Sequence, residues 1–135
     1  MANDTISQLV AMLSGRIPGL IAVYRFGSFG TPAQRRDSDI DLGVLADAPL
    51  DPVALFHMAA ELATCAKREI DLVDLIRCST VMRAHIISTG EIVYCSDPYR
   101  SDNFAATAYS RYAHLNEARS GILADIQARG SIHGR

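Results

Sequence analysis

Residues 39–45, Asp-Ile-Asp-Leu-Gly-Val-Leu, set Ile40, Leu42 and Val44 against Asp39, Asp41 and Gly43 in alternation. A β-strand sends successive side chains to opposite faces, so this run predicts a strand whose apolar face points into a core. The opposite face then presents two carboxylates side by side. Like charges held this close raise each other's pKa unless a cation lies between them. The segment therefore constrains the fold, which must include a sheet packed on a core. It constrains the chemistry too, because paired acids on one strand face must be accommodated.

The rest of the chain supplies partners for that strand. Residues 20–26 (LIAVYRF), 69–75 (EIDLVDL) and 91–95 (EIVYC) have the length and apolar content of three more strands. Helical patterns lie between them. Ile6, Leu9, Val10 and Leu13 recur at helical spacing behind a Thr5-x-x-Gln8 capping box, and Gly15 with Pro18-Gly19 stops that helix. Asp51 is placed to cap a second helix with Pro52 at its first position. This helix runs to Lys67-Arg68, two cations that suit the negative end of its dipole. Ser79 caps a third helix that ends at Gly90. From Pro98 a longer pattern carries an apolar stripe of Phe104, Ala108, Tyr112, Leu115, Ile122 and Ile126. That stripe either covers the domain's own core or stays open for a partner helix. The expected architecture is a small α/β (α+β) domain over residues 1–97, a C-terminal helical arm of the same domain over 98–128, and a flexible tail over 129–135. A chain of 135 residues has room for a single core.

Composition narrows the partners. The formal net charge is −2, with 13 Lys and Arg against 15 Asp and Glu. Proteins that track a nucleic-acid backbone usually carry a basic stripe, which is missing here, so direct nucleic-acid binding is not expected. No apolar run approaches the length of a membrane span, and MANDTISQLV is unlike a signal peptide, so a cytoplasmic location without membrane association is expected. Cys65, Cys78 and Cys95 lack metal spacing and are expected to be buried, reduced thiols.

The chemistry concentrates in residues 25–42. Gly27-Ser28 directly follows the first strand, where glycine lets the backbone approach a phosphate and the turn can aim N–H groups and a hydroxyl at it. Asp39 and Asp41 follow on the next strand, as hard oxygen ligands suited to Mg²⁺ and its phosphate co-ligands. A third acid, Asp71, shares a strand face with Val73, whereas Asp74 points the opposite way. If residues 69–75 pair beside the Asp39–Asp41 strand, Asp71 joins the cluster as metal ligand and as base for an attacking hydroxyl. Asp37, Asp47, Asp51 and Asp74 are expected in turns, caps or on the surface. Arg25, Arg35 and Arg36 flank the turn and stay outside the assigned site. His57 and His85 lie within helices without a metal-spaced partner and are expected to be structural.

Gly27-Ser28, ten intervening residues and Asp39-x-Asp41 match the GSX10DXD signature, and on it the chain resembles the minimal nucleotidyltransferase (MNT) family of the polymerase-β-like superfamily. The resemblance is strongest over residues 20–75. The layout with a helical tail is similar to the MntA-like antitoxins of HEPN–MNT toxin–antitoxin systems. It implies a mixed sheet with helices on one side, Gly27 and Ser28 holding the triphosphate of ATP, and Asp39, Asp41 and Asp71 ligating two Mg²⁺ ions. It also implies protein adenylylation: transfer of AMP from ATP to a hydroxyl, for preference a tyrosine, of a cognate HEPN ribonuclease toxin held in a hetero-oligomer. Two alternatives belong to other classes. One is a non-catalytic antitoxin that neutralises by covering its toxin, and the other is a nucleotidyltransferase acting on tRNA or a small molecule.

Overall fold

Ile40, Leu42 and Val44 are fully shielded from solvent, as their alternation requires. They belong to the second of four strands in a computed structural model that describes residues 2–32, 34–35 and 38–128. The elements run α1 (Ala2–Arg16), β1 (Leu20–Phe26), β2 (Ile40–Ala46), α2 (Pro52–Ala66), β3 (Ile70–Asp74), α3 (Thr80–Thr89), β4 (Glu91–Cys95) and α4 (Pro98–Ala128). The strands form one mixed sheet in the order β3-β2-β1-β4. β1 pairs antiparallel with β2 and β4, while β2 and β3 run parallel. The expected α/β class, the four strands and the C-terminal helix are all present.

Two cores hold the sheet. On one face Ile40, Leu42, Val44 and Val23 pack with Ile6, Leu9 and Leu13 of α1 and with Met58 and Leu62 of α2. On the other, Tyr24 and Leu45 pack with Leu75, Ile86 and Ile87 of the α3 region and with Ala108 of α4. Helices therefore cover both faces of the sheet rather than one. The physical reason lies in β2 itself: beyond Asp41 its second face carries Gly43 and Leu45, which are buried. A Cβ on Gly43 would stand 3.1 Å from a methyl of Ile86, so glycine here lets α3 close onto the strand. Only the N-terminal end of the strand is left open to present acids.

Several local expectations change. α1 begins at Ala2, so Thr5 and Gln8 lie within it, and Gln8 Oε1 faces Cys65 Sγ of α2 at 3.9 Å instead of reaching back to cap. Asp51 does cap α2 through Ala54 N–H, but Lys67 turns left-handed at φ 57° and donates its N–H to the Ala63 carbonyl. Arg68 thus leaves the helix and does not serve its dipole. Cys65 and Cys95 are exposed and Cys78 is half-buried, all three as free thiols, so the expected burial fails. His57 and His85 are exposed on their helices, His57 with its ring edge-to-face against Phe56 at 5.9 Å. Ser79 and Gly90 cap α3 as expected. Along α4 the stripe divides: Ala108 is buried, while Ile122 is 61% and Ile126 40% exposed. The expected tail at 129–135, together with Arg36 and Asp37, lies outside the described residues. Among the described residues no helix is long and apolar enough to cross a membrane.

Candidate active site

The parallel pairing of β2 and β3 decides where the acids meet. Ile40 pairs with Ile70, Asp41 with Asp71 and Leu42 with Leu72. Ile70 and Leu72 pack against the first core, so Asp71 projects from the same sheet face as Asp41. Asp39 precedes β2 by one residue and is exposed, as is Asp71. The Asp41 carboxyl is held above its ordinary range, first by burial and then by the charges of Asp71 and Asp39. The three expected acids therefore act on one another. Among the described residues no three such groups converge closely enough to close a metal shell, and mutual repulsion favours that separation.

Asp74, expected in a turn or on the surface, is 6% exposed. Its two carboxylate oxygens accept the N–H groups of Leu50, at 2.8 Å, and Ile76, at 3.0 Å. It closes the turn after β3 and fastens the approach to α2, on the face opposite to Asp71. The predicted opposition of the two acids holds, and the buried position follows from those two donors.

The Gly-Ser turn lies against Asp41. Phe26, the last residue of β1, pairs with Asp41, and Gly27 follows at φ 75°. A Cβ on Gly27 would run into Asp41 Oδ2, so both the conformation and the space demand glycine. Ser28 Oγ hydrogen-bonds Ser38 Oγ at 3.2 Å, joining the turn to the residue before Asp39. The Ser28 carbonyl accepts the Thr31 N–H at 3.0 Å, which tightens the loop. Phe29 is 2% exposed and anchors that loop in the first core.

Two arginines beyond the expected set shape this loop. Arg25 Nη1 donates to the Phe29 carbonyl at 2.7 Å, and its Nε lies 3.5 Å from Glu91 Oε1. Arg68 Nη1 donates to the Ser38 carbonyl at 2.9 Å, with its guanidinium 4.9 Å from the Phe29 ring centroid. Sequence spacing gives no sign of the Arg68 contacts, which span 30 residues or more. Asp71 also borders a groove of about 470 Å³ between α2 and β3, lined by Leu55, Phe56, Ala59 and Ile70 among others.

With this geometry in place, the chain as a whole matches a known family. Residues 8–99 fit the model for the polymerase beta nucleotidyltransferases. The chain belongs to this family. The matched span holds Gly27, Ser28, Asp39, Asp41 and Asp71 and stops at the start of α4. Over 122 residues the chain is 34% identical to the protein adenylyltransferase MntA of Shewanella oneidensis, which spans 90% of this chain and 87% of that protein. A crystal structure of a toxin–antitoxin with AMP-PNP contains a similar chain, 33% identical, with a TM-score of 0.81 over 94% of this chain and 99% of that one. A structure of a tri-AMPylated Shewanella oneidensis HEPN toxin in complex with MNT antitoxin gives 31% identity and a TM-score of 0.80 at the same coverage. The resemblance to minimal nucleotidyltransferases read from residues 20–75 thus extends over nearly the whole chain.

Proposed function

We propose that this nucleotidyltransferase is an antitoxin that silences a HEPN ribonuclease by transferring AMP from ATP to a tyrosine hydroxyl of that partner, in a Mg²⁺-dependent reaction. The observation that carries the reading is the β2–β3 register, which sets Asp71 beside Asp41, the acid that lies against Gly27. The relatives support it further, since one is a protein adenylyltransferase and another is bound to a tri-AMPylated HEPN toxin.

Gly27 and Ser28 would receive the triphosphate, because the turn leaves its backbone approachable and half-exposes the serine hydroxyl. Asp39, Asp41 and Asp71 offer hard oxygen donors, and the repulsion concentrated on Asp41 is what a divalent cation relieves. In donor type these residues suit two Mg²⁺ ions, which would draw the three acids together. When bound, these ions neutralise triphosphate charge and favour ionisation of the acceptor hydroxyl. Asp71 accepts the tyrosine proton. The tyrosine oxygen bonds to the α-phosphorus as the bond from that phosphorus to the α,β-bridging oxygen breaks. Pyrophosphate leaves with that electron pair, and AMP remains on the tyrosine.

The groove beside Asp71 gives the acceptor chain an apolar approach, with Phe56 72% exposed at its wall. Residues 1–97 would carry the chemistry and the arm at 98–128 the partner contact, through the exposed Ile122, Leu123 and Ile126 of its outer half. We place the pair in the cytoplasm, where ATP and RNA are found. The test combines the purified chain, a candidate HEPN ribonuclease partner, labelled ATP and Mg²⁺. Label should reach the toxin and vanish with EDTA. Label that survives chelation contradicts the metal dependence, and its absence throughout contradicts transfer.

A further inference from the structure

One guanidinium joins the two halves of the candidate site. Arg68 lies between the left-handed end of α2 at Lys67 and the start of β3. The Ser38 carbonyl that it grips at 2.9 Å belongs to the peptide entering Asp39. Its face covers the ring of Phe29, the residue immediately after Ser28, at 4.9 Å. A planar guanidinium can donate along its edge while its face rests on a ring, whereas a lysine ammonium cannot satisfy both. Arg25 holds the same loop from the Phe29 carbonyl.

We infer that Arg68 is a positioning residue for the nucleotide, fixing the Gly27-Ser28 turn and Asp39 in their relative placement before ATP arrives. It acts through Phe29 and Ser38 and not through contact with the triphosphate. Without it, binding would have to order the turn, and that cost subtracts from affinity. The inference rests on the adenylyl-transfer reading.

The full-length chain and its Arg68→Ala, Arg68→Lys and Phe29→Leu variants test it. Calorimetry with a non-hydrolysable ATP analogue, below every melting transition, gives the affinity, and steady-state transfer separates KM from kcat. Both Arg68 variants should weaken analogue binding by about 10-fold or more, the size of effect seen for residues that orient ligating groups. KM should rise more than kcat falls. Phe29→Leu, which keeps burial but removes the ring face, should lose affinity in the same direction. If Arg68→Lys binds like the unaltered chain, charge alone suffices and the inference is wrong. It is equally wrong if Arg68→Ala melts lower yet binds normally. Should Arg68→Ala fail to fold, the lysine variant decides. An unaltered chain that binds no analogue is a separate failure, which overturns the adenylyl-transfer reading itself.

Discussion

At the scale of single residues, Asp41 bears the tension of the site. It is half-buried, faces Gly27 and stands next to Asp71 and Asp39. Its folded-state pKa is raised above the ordinary 3.8, so the protonated form is favoured by folding. That contribution to stability is full below the ordinary value and is lost as pH rises through the folded pKa. Asp41→Asn removes the lost term. In EDTA the variant should match the wild type near pH 3.5 and melt higher than it at pH 7. Thermal scans across that window check it, and a variant that melts lower at neutral pH would show that Asp41 stabilises the fold. The paired acids were legible in the sequence because alternation on one strand is a local property. The Arg68 contacts were not, since they depend on how the turn after β1 meets a distant chain segment.

At the scale of elements, the parallel register of β2 and β3 does most to define the site. Sequence alternation separated Asp71 from Asp74, but nothing local could establish which strand would lie beside β2. The burial of Asp74 was hidden for the same reason, because its partner Leu50 is 24 residues away. The two acids should now fail in different ways. Asp71→Asn should cut transfer by at least about 100-fold, the scale of general-base contributions, and leave the melting temperature nearly unchanged. Asp74→Asn puts an amide NH₂ against one of two N–H donors, so it should cost about 1–3 kcal/mol of stability. Its kcat should stay close to that of the wild type while the protein is folded. Denaturant melts and steady-state rates on both variants separate the outcomes, and the reverse pattern would show that the site lies on the other face. The second core was also missed, because Gly43 reads as a polar-face residue until α3 is seen packed on it.

At the scale of the whole molecule, the fold class was legible in short-range pattern, whereas the helices on both faces and the split of α4 required tertiary packing. Core-facing Phe104, Ala105 and Ala108 tie the start of α4 to the sheet, and its outer half extends beyond that packing. The molecule thus has a packed body and an exposed helical end, and two modes of neutralising a toxin, by turnover or by cover, are open to it. Turnover is the central claim, and stoichiometry separates the two. A small molar fraction of this chain, with ATP and Mg²⁺, should inactivate an excess of its HEPN ribonuclease, and intact-mass spectrometry should show whole AMP increments on the toxin. The Asp39→Ala/Asp41→Ala double variant should still bind the toxin but leave its ribonuclease activity and mass unchanged. A double variant that protects as well as the wild type, mole for mole and without any mass change, would contradict the account.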